Sequence, residues 1–186
     1  AIVYNTLQMY RHDRLHYLKE LQHLAVNEGF FVGVKLVRGA YLEKEKERAF
    51  ANNYPSPICE TKEITESHYN EAILYVIENL ETMALFLGTH NEKSNYYLME
   101  LIQEKGIQPT DTRIWFGQLY GMSDHISYNL AQEHYNVAKY LPFGPVKDVM
   151  PYLIRRAEEN TSVVGQTNRE LELIKKERER RKKSRK

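Results

Sequence analysis

Val34-Lys35-Leu36-Val37-Arg38-Gly39-Ala40-Tyr41 is the stretch on which the reading of the fold turns. Apolar residues alternate with Lys35 and lead into a basic residue, a glycine, an alanine and a tyrosine. The next residues, Leu42-Glu43-Lys44-Glu45-Lys46-Glu47-Arg48, read as an exposed helix. A β-branched run that ends in glycine and passes into a helix is a strand-to-helix corner, and Gly39-Ala40 lets the backbone approach something closely there. In a parallel α/β sheet such corners are where ligands bind.

Outward from this corner, strand and helix patterns alternate along the chain. Ile2 to Leu7 is β-like. Leu15, Leu18, Leu21 and Leu24 then recur at three-residue spacing and predict an amphipathic helix that Gly29 ends. Phe31 to Val37 is the second strand, Glu43 to Ala51 a charged helix, and Asn52 to Cys59, with Pro55 and Pro57, a loop. A helix over Ile64 to Leu80 buries Tyr69, Ile73, Val76, Ile77 and Leu80. Met83 to Leu87 is the third strand; the helix from Glu92 to Lys105 buries Tyr97, Leu98, Leu101 and Ile102 and stops at Gly106. Arg113 to Phe116 is the fourth strand, Ser123 caps a helix through Glu133, and Asn136 to Leu141 is the fifth strand. From Val146 to Ala157 apolar residues keep helical spacing around Pro151, where a kink or a new helix start is expected.

Five strands alternating with helices make an α/β fold with a parallel sheet. An eight-stranded barrel needs about 250 residues. Five units in 186 residues, opening on a strand with no initiator methionine, suggest a piece of a barrel. A five-stranded flavodoxin-like sheet fits the count equally well.

Composition narrows the class. The chain is 42% hydrophobic and 27% charged, which is ordinary for a globular domain, and no run approaches the roughly 18 apolar residues of a transmembrane helix. A single cysteine, Cys59, excludes an internal disulfide framework and a cysteine-rich zinc site and fits a reducing, intracellular setting. His12 and His16 share a helical spacing, but no third ligand follows them. Arg169 to Lys186 carries ten Lys/Arg against four Asp/Glu, a surplus of +6 in a chain whose net charge is +1, so the remainder is −5. The chain therefore divides into a folded portion, residues 1–165, and a basic helical tail, residues 166–186.

The strand ends gather Gln8, then Arg38-Gly39-Ala40-Tyr41, then Thr89-His90-Asn91, then Gln118-Leu119, then Tyr140, and the last helix adds Tyr152, Arg155, Arg156 and Glu159. This set has no Ser-His-Asp order, no carboxylate pair and no metal cluster. Donors, cations and tyrosines dominate it, which suits holding a large anionic cofactor and a small carboxylate. From the residues alone, a non-catalytic α/β domain that binds some other phosphate-bearing ligand stays open. So does an interaction module that touches nucleic acid or membrane through its tail.

Val34 to Tyr41, Thr89-His90-Asn91-Glu92, Phe116-Gly117-Gln118-Leu119-Tyr120-Gly121-Met122 and Tyr152-Leu153-Ile154-Arg155-Arg156-Ala157-Glu158-Glu159-Asn160 resemble, in order and near spacing, the successive motifs of the proline dehydrogenase family, closer to its monofunctional, mitochondrial-type members than to the bifunctional bacterial ones. The resemblance implies a (βα)8 barrel of which this chain holds strands four to eight. It implies FAD as cofactor and oxidation of L-proline to Δ1-pyrroline-5-carboxylate, with hydride passing from proline C5 to flavin N5. A quinone or other membrane electron acceptor takes the electrons, the location is cytoplasmic or peripheral at the inner face of a membrane, and no nucleic acid is involved.

By position, the resemblance makes Arg155 and Arg156 the clamp on the proline carboxylate, with Tyr41, Leu119, Tyr140 and Tyr152 walling the ring. It gives Gln8, Lys35, Arg38, Gly39, Ala40, Thr89, His90, Asn91, Gln118 and Glu159 to FAD, with Thr61, Lys62 and Ser162 as further contacts. Lys35 stands where bifunctional members carry arginine near flavin N5, and a cation is kept. The family's earlier strands, which supply a lysine to the substrate carboxylate, have no counterpart here. A half-barrel leaves two open edges. The 186-residue chain is therefore expected to self-associate through those edges or rearrange them, and to bind FAD poorly by itself.

Overall fold

Five strands pair side by side in chain order, β1-β2-β3-β4-β5. The computed structural model describes residues 3–162 together with 172, 175–176 and 178–183. Its elements are β1 (Tyr4–Gln8), α1 (Arg14–Glu28), β2 (Val32–Val37), α2 (Leu42–Ala51), α3 (Lys62–Glu78), β3 (Met83–Gly88), α4 (Glu92–Glu104), β4 (Ile114–Leu119), α5 (Asp124–Gln132), β5 (Val137–Tyr140) and α6 (Val146–Ser162).

The strand order decides between the two folds that the count left open. β1 to β4 are parallel to their neighbours, and each connection steps the same way along the sheet. Right-handed crossovers that never reverse direction place the helices on one face, as in a barrel wall. A flavodoxin-like sheet reverses after its second strand and is covered on both faces. The protein is thus a five-stranded arc of a (βα)8-type barrel. Strand parity follows the same logic. Leu7, Val34, Leu36, Leu85, Leu87 and Phe116 face the helices and pack on residues such as Leu18, Tyr69, Ile73, Val76 and Leu98. The intervening residues face the other way, toward what would be the barrel interior.

The chain falls into two compact units, Ala1–Lys139 and Tyr140–Lys186, each described by itself. The expected boundary at residue 165 lies outside the described residues. Of the tail, residues 172, 175–176 and 178–183 are helical and exposed. No helix among the described residues is long and apolar enough to cross a membrane.

Several local expectations are corrected. In α1 the buried positions are Leu18, Gln22 and Ala25, whereas Leu24 is 49% exposed. A strict three-residue spacing drifts around a 3.6-residue helix, so Leu15 to Leu24 cannot all share one face. β4 runs on through Leu119 instead of ending at Phe116. Gly117 is accepted mid-strand because the Phe86 ring covers its α-carbon; a Cβ there would stand 2.1 Å from Phe86 Cε1. Ser123 precedes α5 but makes no side-chain cap, and its φ is +52°. α6 continues through Pro151 as one helix.

Candidate functional site

The strand register lines up one face of the arc. Thr6 pairs with Lys35 and Gln8 with Val37; Lys35 pairs with Phe86, Phe86 with Trp115 and Gly88 with Gly117. Residues paired across parallel strands share a face. The interior side therefore carries Tyr4, Thr6 and Gln8 from β1 and Gly33, Lys35 and Val37 from β2. Ala84, Phe86 and Gly88 come from β3, and Trp115, Gly117 and Leu119 from β4. Contacts confirm it: Tyr4 meets Phe86 edge-on at 6.1 Å, and the Lys35 ammonium lies 5.3 Å over the Phe86 ring. A Cβ on Gly88 would stand 3.1 Å from Lys35 Cε.

This face is lined by small residues and aromatic rings, and Lys35 is the one charged residue among those twelve positions. Burial pushes its pKa down, because desolvation disfavours the charged ammonium. A planar ring system that gains negative charge in a reaction suits such a surface. The interior face thus fits a flavin, with Gln8 and Leu119 at the strand ends beside it.

Arg38, one residue past β2, is placed quite differently. Its guanidinium donates to Glu66 Oε1 (2.6 Å) and Oε2, to Thr89 Oγ1 (2.8 Å) and to Ser94 Oγ (2.8 Å). It also stacks 4.2 Å from the centroid of Tyr69. Tyr69, fully buried, donates its hydroxyl to Leu36 O at 3.2 Å, and burial holds its pKa far above the ordinary tyrosine range. Arg38 is thus the hub that joins the ends of β2 and β3 to α3 and the first turn of α4.

Other predicted residues divide between site and framework. Gly39 has φ +124°, and a Cβ on it would stand 2.5 Å from the Tyr10 ring, so the close approach read at this corner is to a side chain of the protein itself. Ala40 is half-buried and Tyr41 exposed at the start of α2. Thr89 Oγ1 accepts from Arg38 and from Asn91 N (3.1 Å), while Asn91 Oδ1 accepts from Ser94 N (3.2 Å) and so caps α4. His90 Nδ1 lies 2.9 Å from Ser123 Oγ, which is the partner that draws the Ser123 hydroxyl away from capping α5.

Gln118 is 2% exposed and, by strand parity, faces the helices rather than the interior. Its amide meets Thr89 O and Asn95 Oδ1 at 3.4 Å and accepts from Ser127 Oγ at 2.9 Å. Thr61 caps α3 by accepting from Ile64 N at 3.3 Å, and Lys62 is exposed at its start.

In the second unit, Tyr140 and Tyr152 meet edge-on at 6.1 Å, the Arg156 guanidinium lies 5.5 Å over the Tyr152 ring, and Arg155 is half-buried beside it in sequence. Glu159 and Ser162 belong to α6, and their side chains lie outside the described residues.

Sequence reasoning passed over Glu66, Ser94 and Tyr10. Glu66 carried a signal: it stands one turn before Tyr69 on α3, where a carboxylate at the margin of a buried stripe demands a cationic partner. Nothing local marks Tyr10, whose contact with Gly39 arises from pairing of the chain after β1 with the chain after β2, through Met9 N to Val37 O and Tyr10 N to Arg38 O, both 2.8 Å.

The sequence profile of the proline dehydrogenase family matches residues 1–169. Human mitochondrial proline dehydrogenase 1 is 42% identical over 176 residues, covering 93% of this chain and 29% of its own length. The mitochondrial proline dehydrogenase 1 of Dictyostelium discoideum is 39% identical over 187 residues, covering 97% of this chain and 33% of its own. The chain thus spans about a third of the length of these curated relatives. Proline utilization A from Bdellovibrio bacteriovorus, crystallised after inactivation by N-propargylglycine, superposes with a TM-score of 0.79 at 29% identity, over 86% of this chain and 16% of that one. The relatives' names overturn the cytoplasmic location expected above, and point to mitochondria instead. One reduced cysteine is compatible with either compartment, so composition had no power to separate them.

Proposed function

This chain belongs to the proline dehydrogenase family, and we propose that the intact protein carries out FAD-dependent oxidation of L-proline to Δ1-pyrroline-5-carboxylate. The observation that carries the reading is the interior face of β1 to β4: a surface of small and aromatic residues with Lys35 as its single charge, at the strand ends where barrel enzymes do their chemistry.

FAD, when bound, supplies the hydride acceptor. Lys35 would stand against the isoalloxazine and favour the negative charge that arrives with the hydride. Gln8, the Gly39-Ala40 backbone, Thr89, His90 and Asn91 are proposed to hold the cofactor around the strand ends, with Gln118 and Arg38 fixing that rim from the helix side. Glu159 is proposed as a further FAD contact. Arg155 and Arg156 would clamp the proline carboxylate, since a guanidinium presents paired donors to a planar anion. Tyr41, Leu119, Tyr140 and Tyr152 would wall the ring and exclude water. The stacking of Arg156 on Tyr152 supports this assignment, because it fixes a guanidinium plane next to an aromatic wall. Positioning of this kind is most of what the protein contributes when the cofactor carries the reaction. A quinone or another membrane electron acceptor is proposed to reoxidise the flavin.

Lys35→Met in the intact protein tests the reading. Flavin content and proline-dependent flavin reduction should both fall at least tenfold; unchanged values would remove Lys35, and with it the interior face, from the site.

A further inference from the structure

Arg38 has five N–H groups, and four of them are committed: two to the Glu66 carboxylate, one to Thr89 Oγ1 and one to Ser94 Oγ. The pair is half-buried, with side chains 23% and 29% exposed. Two consequences follow from the chemistry. The guanidinium plane is fixed, gripped on one edge by Glu66 and on one face by Tyr69. Its positive charge is also matched by a carboxylate one hydrogen bond away, so it contributes little net charge to the strand ends. Lys62 and Lys93 also act on Glu66, and neither competes with Arg38 for the hydrogen bonds described.

From this geometry we infer that Glu66 is a positioning residue of the flavin site. It holds Arg38 so that a single N–H, on Nη1, remains for the cofactor, and it cancels the charge of Arg38 so that Lys35 supplies the cation the flavin meets. Through Arg38 it also holds Thr89 and Ser94, and therefore the turn that carries His90 and Asn91. This rests on the flavin-site reading above and adds a residue that touches neither cofactor nor substrate.

The test uses the intact protein with Glu66→Gln, Glu66→Asp, Arg38→Gln and the Glu66→Gln/Arg38→Gln double variant. Flavin dissociation constants are measured by fluorescence and midpoint potentials by spectroelectrochemistry. Glu66→Gln should weaken flavin binding roughly tenfold, the loss of one charge-assisted hydrogen bond, and move the flavin potential upward, because Arg38 is left uncompensated. Glu66→Asp keeps the charge and should recover most of the potential. In the Arg38→Gln background, Glu66→Gln should weaken flavin binding no further and should return the potential toward the wild-type value, because it removes the carboxylate that Arg38→Gln leaves uncompensated. The inference is overturned if Glu66→Gln lowers only the melting temperature, with affinity and potential unmoved, or if its effect on flavin affinity persists undiminished without Arg38. Should Glu66→Gln not fold, the potentials of Glu66→Asp and Arg38→Gln decide: Arg38→Gln must shift the potential, and Glu66→Asp must not. A wild-type protein that takes up no flavin overturns the underlying flavin reading instead, and a flavin-loaded wild type with an indifferent Glu66→Gln overturns this inference alone.

Discussion

Lys35 and Arg38 stand three residues apart, and the structure treats the two cations in opposite ways. Lys35 lies on the interior face, over an aromatic ring, with burial lowering its pKa. Arg38 lies at the helix-facing rim, with its guanidinium bound to a carboxylate and two hydroxyls. One region of the arc is sparse in internal hydrogen bonds and the other dense with them. The rim fixes the strand ends, and the interior face carries a partly desolvated ammonium among apolar and aromatic neighbours.

That contrast breaks most readily along β2 itself. Leu36→Ala opens a cavity on the helix-facing side, where Leu36 is fully buried, and should cost about 2–5 kcal/mol in urea denaturation. Val37→Ala, on the half-buried interior side, should cost less than about half of that. Equal losses would mean that the two faces are equally packed.

The two cations give the next largest effect, with opposite signs. Arg38→Met leaves the Glu66 carboxylate without its partner beside Tyr69 and should destabilise by about 2–4 kcal/mol. Lys35→Met removes a desolvated ammonium and should leave the flavin-free protein as stable as wild type or more so. Chemical denaturation of both variants checks the signs.

Acid sharpens the same comparison. Arg38 lowers the Glu66 pKa, so the folded state binds that proton less readily than the unfolded chain. The contribution of the pair to stability is complete above the ordinary carboxylate range, about pH 4–5, and is lost as pH falls through the lowered value. The acid limb of the stability curve should therefore be shallower in Glu66→Gln than in wild type. Burial of Lys35 works at the other end of the scale: its penalty eases as pH rises toward the ordinary lysine range, and Lys35→Met should flatten that alkaline rise.

The smallest effect concerns the turn before α5. Ser123 holds a left-handed backbone and places its hydroxyl 2.9 Å from His90. Ser123→Gly relieves the backbone and loses the contact, whereas Ser123→Ala keeps the strain and loses the contact. Ser123→Ala should be less stable than Ser123→Gly by about 1 kcal/mol, measured as a difference in melting free energy.

The alternation of elements was legible in the chain because apolar period and glycine stops are local signals. The helices from Lys62 and from Glu92 and the strands ending at Val37 and near Gly88 fall where the pattern placed them. Strand order was not legible, since it depends on which edges pair, and only the sequential order separates a barrel arc from a flavodoxin-like sheet. The end of β4 was misjudged because Gly117 reads as a breaker until Phe86 is seen to fill its place. In the site, the motifs located the strand ends, but parity decided roles. Lys35 faces the interior and Gln118 the helices, and the anchor of Arg38 comes from a helix 28 residues further on, beyond any local pattern.

The most direct measurement is anaerobic titration of the FAD-loaded intact protein with L-proline, following the visible absorbance of the flavin. The account predicts stoichiometric bleaching with release of Δ1-pyrroline-5-carboxylate, and loss of that bleaching in Lys35→Met. A flavin that stays oxidised under excess proline, or a protein that takes up no flavin, would contradict it.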